Sequence, residues 1–168
     1  FVVYWRNADM DFMVIYSALA MNDGKPQQFL DHTAYLTIIT VKSWFRLLHD
    51  VGLLDAWTLP AIPPATDATA FELAMTHAVR AGRVLAFLIA TSCVVIFAGL
   101  ARLFLRDSRV ALLAAIAFAF SGGVAVHSRI LRSELLAAMP VIFALMILIV
   151  LGRRAATPRP IGIGVAAS

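Results

Sequence analysis

Three apolar runs, at 84–105, 110–126 and 135–151, contain one Asp, Glu, Lys or Arg between them, Arg102. A helix of about 20 apolar residues crosses the ~30 Å hydrocarbon core of a bilayer. The runs hold 22, 17 and 17 residues, so each is near that length. Few folds in water tolerate three such segments in succession. Composition agrees: 61% of the chain is hydrophobic and 14% is charged, against about 45–50% and about 25% in soluble domains. The mean hydropathy is +0.86. The expected fold is all-α: a polytopic transmembrane helix bundle.

Charge asymmetry orients it. The short loops with Arg106, Arg109, Arg153, Arg154 and Arg159 carry one acid, Asp107. They fall on one side if each run crosses once, and short basic loops are cytoplasmic. Residues 6–79 fall on the other side with four Lys/Arg and eight acids. The expected order is the end of a first helix at 1–5, an outer loop at 6–79, helix two at 80–105, helix three at 110–127, and helix four at 135–151. Residues 161–168 read as the start of a fifth, within a single partial transmembrane domain. The net charge of +4 is too small, in a chain this apolar, to argue for nucleic acid. The single cysteine, Cys93, excludes an internal disulfide and a Cys-based metal site; it reads as a buried small hydrophobe.

The outer loop holds two helix patterns. One runs from Met10 to Asn22, closed by Gly24 in a left-handed cap and by Pro26. The other runs from Thr33 to His49, with Lys42, Ser43, Arg46, His49 and Asp50 on its polar side. It suits an amphipathic helix in the interface with Trp44 at headgroup depth; a short helix packed on protein is the alternative. Gly52 ends it. Thr69-x-x-Glu72 offers a capping box for helix two, and Pro140 is tolerated near the start of helix four.

The ionisable groups cluster at run ends. Asp9 and Asp11 are two residues apart and point about 200° apart on a helix. A helix starting near Met10 leaves Asp9 as its N-cap and Asp11 to face a site; alternatively both are solvated acids favoured by the helix dipole. His127, Arg129, Arg132 and Glu134 lie between two apolar runs and cannot all sit in lipid. They form either a polar turn with snorkelling arginines or an anion site in which Arg129 and Arg132 bind phosphate, with Glu134 facing the bundle interior. Arg80 and Arg83, with His77, sit at the head of helix two as an interfacial anchor or a lipid-phosphate contact. Asp31-His32 is a metal half-site, a base pair or plain loop. Gly122-Gly123 either permits close helix approach or loosens a helix end. No Walker loop, Rossmann fingerprint, His-Glu-x-x-His or nucleophile elbow occurs.

In order and topology these motifs resemble the GT-C superfamily of integral-membrane glycosyltransferases, in the protein-mannosyltransferase and aminoarabinose-transferase branch (glycosyltransferase family 39 type). The residues concerned are Asp11…Gly24-Lys-Pro26…Asp31-His32, then Gly82-Arg83-Val84, then His127-Ser-Arg129…Glu134. The chain departs from the family pattern with Asp-Met-Asp in place of Asp-Glu and with His32-Thr-Ala-Tyr35 after the Asp-His pair. The resemblance implies transfer of a sugar from a polyprenyl-phosphate donor to a protein, lipid or glycan acceptor at the outer face of the cell membrane. Asp11, or Asp9, would be the catalytic base, with Glu134 binding the acceptor. Arg83, His127, Arg129, Arg132, Asp31 and His32 would meet the substrates. A divalent metal ion shared by Asp11 and Glu134 is left open by it. A transporter or a non-catalytic membrane scaffold is the rival reading; charges confined to run ends disfavour transport.

Overall fold

The structure, a computed structural model, describes residues 11–27 and 34–156. The expectations for 1–5 and 161–168, and those for Asp9, Asp31, His32 and Arg159, lie outside these residues. All regular structure among the described residues is helical, in the order α1 (Asp11–Asn22), α2 (Tyr35–Asp50), a 3-10 turn (Leu59–Ala61), α3 (Ala68–Phe104), α4 (Ser108–Ala119), α5 (Gly122–His127) and α6 (Ser133–Ala156). Two helices are long and apolar enough to cross a membrane, Ala68–Phe104 and Ser133–Arg153.

Glycine ends the first two helices as expected. Gly24 adopts φ 77°. Lys25 N–H donates to Ala20 O at 3.0 Å and Gly24 N–H to Met21 O at 3.3 Å, the paired bonds of a Schellman cap. Gly52, at φ 75°, repeats the arrangement: Leu53 N–H reaches Leu48 O at 2.8 Å and Gly52 N–H reaches His49 O at 2.9 Å. A Cβ at Gly24 would meet nothing within 4 Å, so only backbone strain opposes a side chain there. Gly24→Ala is expected to lower stability by about 1–2 kcal/mol, read as a lower thermal midpoint with unchanged helix content.

The core gathers where α1, α2, α3 and the start of α6 meet. α1 is its centre: Ile15, Ala18 and Leu19 are buried, with Phe45 and Val41 of α2 and Ala78 and Val79 of α3 around them. Burying a Leu or Ile side chain stabilises by about 1.5–3 kcal/mol, so Ile15 and Leu19 alone bind α1 firmly to its neighbours. Asn22 adds direction, donating from Nδ2 to Lys42 O at 3.2 Å and to Trp57 O at 3.1 Å. α2 is a packed helix here. Thr37, Ile38, Val41 and Phe45 form its buried stripe, and the Trp44 indole N–H donates to Ala81 O of α3 at 2.9 Å. Trp44 is half-buried, and a partly buried indole N–H needs such an acceptor.

Three boundaries differ from expectation. α3 begins at Ala68, twelve residues before 80 but within one residue of the Thr69 expected to open its long helical segment, and is capped by Asp67, whose carboxylate accepts from Ala70 N–H at 3.1 Å. The Thr69 capping box is not used. The expected helix three is two helices. α4 ends at Ala119, and Ser121 starts α5 by accepting from Val124 N–H at 3.4 Å. A Cβ at Gly122 or Gly123 would meet nothing within 4 Å, so this glycine pair loosens a helix end and mediates no close approach. α6 starts two residues earlier than 135, at Ser133.

α3 and α6 run side by side in the same direction. Arg83 and Leu131 both meet Asp11 at one end, and Arg102 and Arg153 line one cavity at the other. α4 and α5 carry the chain back between those ends. Phe118 of α4 stacks on Phe97 of α3 at 4.2 Å. Cys93, within α3, is buried and unpaired by any disulfide.

Candidate functional site

Three stretches far apart in sequence meet at Asp11. This residue opens α1 and is 4% exposed. Its Oδ1 accepts from Leu131 N–H at 2.5 Å, and its Oδ2 takes Arg83 Nε at 3.4 Å. The three partners come from α1, from α3 and from the short link between α5 and α6. Each has a local reason to be there. An acid in the first turn of α1 is favoured by the helix dipole. Arg83 lies where the uncharged stretch of α3 begins, so its stem lies along apolar surface while its head reaches the polar end. Leu131 is 1% exposed; its buried side chain fixes its backbone, and a buried N–H must find an acceptor.

Gly82 lets these parts approach. A Cβ there would stand 2.6 Å from Leu131 Cδ1 and 3.5 Å from Ile15 Cδ1. Real side chains do not come so close, so the absence of a side chain at 82 seats Leu131 against α3. Glycine next to the arginine is thus part of the same arrangement as the carboxylate.

The remaining expected residues flank Leu131 in sequence, from the end of α5 to the first turn of α6. His127 is half-buried and ends α5, and its Nδ1 is buried without a hydrogen-bond partner among the described residues. Such a nitrogen calls for a ligand or water. Arg132 Nη1 lies 4.0 Å from Glu134 Oε1. The Glu134 side chain is 55% exposed, so the expectation that it faces the bundle interior is corrected. It stands in the first turn of α6, where the dipole favours an acid in water. Arg129 is exposed and outside the Asp11 contact. Arg83 keeps 24% of its side-chain surface open.

A shared metal does not fit these donors. Among the described residues no group of three His, Cys, Asp or Glu could hold one, and both Asp11 oxygens already accept from cationic or amide donors. Sequence reasoning named Asp11 and Arg83 but missed the Leu131 N–H, a backbone donor without a residue-type signature. It also missed the packing role of Gly82, whose only signal was its place before Arg83.

Comparison of the chain with family models, characterised proteins and solved structures returns no match.

Proposed function

We propose that this chain forms the membrane-embedded catalytic end of a glycosyltransferase that moves a sugar from a polyprenyl-phosphate donor to an acceptor at the outer face of the cell membrane. The observation that carries the reading is the junction of Asp11, Arg83 and the 128–134 link at one end of two apolar helices. Membrane residence is supported by exposure. Val141, Phe143, Leu148 and Leu151 of α6 all face outward, and only 6% of its apolar window is buried inside the chain. A core helix of a soluble protein buries that surface. In this reading lipid provides the missing contact, and α4 and α5 make a broken third crossing of a polytopic bundle.

The chemistry then needs a base, a site for phosphate charge and a place for the acceptor. In a single displacement the acceptor oxygen bonds the anomeric carbon while the bond from that carbon to the phosphate oxygen breaks. Asp11 takes the hydroxyl proton. The leaving group departs as polyprenyl phosphate, its negative charge met by Arg83, with Arg132 and His127 as further candidates. The anomeric configuration inverts. Glu134 and Arg129, both exposed, are left to contact the acceptor or the donor headgroup. No step is routed through a metal.

A second reading has its own support. Asp11 is almost fully buried with both oxygens engaged, which suits a structural clasp in a non-catalytic membrane scaffold. One experiment separates the two. The full-length protein is assayed for transfer from a radiolabelled polyprenyl-phosphate sugar, alongside Asp11→Asn. Asn retains an acceptor for Leu131 N–H, so the fold persists while transfer falls by about 100-fold or more. A variant with the wild-type rate removes Asp11 from the chemistry. No transfer by the intact protein from any such donor favours the scaffold.

A further inference from the structure

The opposite end of the α3–α6 pair carries a second constellation. A cavity of about 410 Å³ is lined by Arg102, Leu103, Leu105, Arg106 and Arg153. Three guanidinium side chains from the end of α3, the following link and the end of α6 thus surround one space. Among the described residues none of the three is ion-paired with a carboxylate. The nearest acid in sequence, Asp107, is committed elsewhere: it caps α4, accepting from Arg109 N–H at 2.7 Å. Arg102 is anchored by its Nη1 donating to the Ser108 hydroxyl. The three arginines are exposed, and three cations lining one space favour an anion there.

The position of the cavity selects the anion. Arg102 follows Arg83 by nineteen residues on α3, and Arg153 follows Glu134 by nineteen on α6. Neither intervening stretch, 84–101 or 135–152, contains an Asp, Glu, Lys or Arg. At ~1.5 Å per residue each charge pair is about 28 Å apart along its helix, close to the ~30 Å thickness of a bilayer core. With the Asp11 end at one headgroup layer, the arginine cavity lies at the other. Its walls include Leu103 and Leu105, and Phe104 beside it is exposed. Guanidinium groups match phosphate geometry, and the apolar neighbours match the acyl chains that accompany a lipid phosphate. We propose that Arg102, Arg106 and Arg153 form a binding site for the phosphodiester headgroup of an anionic glycerophospholipid in the leaflet opposite the Asp11 site. Basic pockets between membrane helices bind such headgroups by this chemistry. The site is separate from the transfer reaction and rests only on α3 and α6 crossing a bilayer.

The test uses the full-length protein in neutral detergent. Short-chain phosphatidylglycerol, phosphatidylcholine of equal chain length and inorganic phosphate are titrated in separate arms, with bound lipid read by native mass spectrometry and stability by thermal midpoint. Phosphatidylglycerol is expected to bind and raise the midpoint; the other two are not. The triple variant Arg102→Gln, Arg106→Gln, Arg153→Gln is expected to lose about tenfold or more in apparent phosphatidylglycerol affinity, at a few-fold per removed cation. Arg106→Gln alone, an exposed change outside any helix, is expected to lose a few-fold and guards against misfolding of the triple variant. Arg46→Gln, on α2, is expected to change nothing. The proposal is overturned if the arginine variants bind phosphatidylglycerol as wild type does, if phosphatidylcholine binds equally, or if inorganic phosphate gives the same shift. Release of the protein from membranes by alkaline carbonate would instead overturn the membrane reading itself.

Discussion

Asp11→Ala will destabilise the protein by about 3 kcal/mol or more, because removing one partner of a buried ion pair typically costs about 3–5 kcal/mol. Two losses combine. Arg83 is left without the carboxylate that lies 3.4 Å away, and Leu131 N–H, in a buried setting, loses its acceptor at 2.5 Å. Partial exposure of Arg83 moderates the first loss, since water reaches about a quarter of the side chain. The second has no such relief. A double-mutant cycle isolates the pair: Asp11→Ala is expected to cost less in an Arg83→Leu background, with a coupling of about 1–3 kcal/mol. Thermal unfolding in detergent reads it out. An Asp11→Ala midpoint equal to wild type would mean that the clasp holds nothing together. The same variant is expected to abolish transfer, whereas Asp11→Asn separates chemistry from folding.

Gly82→Val is the second large effect. Overpacking a core costs about 1–3 kcal/mol and sometimes more, and here the added Cβ alone would stand 2.6 Å from Leu131 Cδ1. The terminal carbon of a leucine can often swing aside. Leu131 is 1% exposed and Ile15 is 0% exposed, so it has little room to do so. The strain passes to the Leu131 backbone and lengthens its bond to Asp11. A drop of about 3 kcal/mol is expected, with transfer lost in proportion. Leu131→Ala in the Gly82→Val background opens the needed space and is expected to restore part of the stability that either change alone removes. If the double variant is no better than the sum of the two, the contact at Gly82 is not the cause.

Much of this architecture was legible in the residues, though unevenly. Gly24 and Gly52 announced two helix ends because a left-handed cap needs glycine. The uncharged stretches on α3 and α6 announced two long helices because few other structures accommodate them. The start of α3 did not follow from hydropathy. The apolar run marks only where the charges stop, while the helix begins at Ala68, just after Asp67, whose carboxylate caps the first free N–H groups. The break at Phe120–Ser121 was hidden because residues 110–126 contain no proline; a serine cap and two glycines suffice to interrupt them. At the site, Asp11 and Arg83 were visible as charged residues at run ends. Glu134 was misplaced because its position at the entry to an apolar helix suggested inward burial, whereas its side chain is exposed beside Arg132. The Leu131 N–H could not be read at all, since every residue but proline carries one.

The unbroken course of α3 couples the two ends in a further way. The helix has 37 residues without a proline, from Ala68 to Phe104. It carries Arg83 toward Asp11 and Arg102 into the arginine cavity. Inserting one residue between them would rotate one end against the other by about 100° and lengthen the helix by about 1.5 Å. Tolerance to insertions there is therefore expected to oscillate with the helical period. One or two residues would put the ends out of phase, and seven would return them close to alignment at a greater span. The helix serves as a torsional gauge, setting both the distance and the relative facing of the Asp11 junction and the arginine cavity.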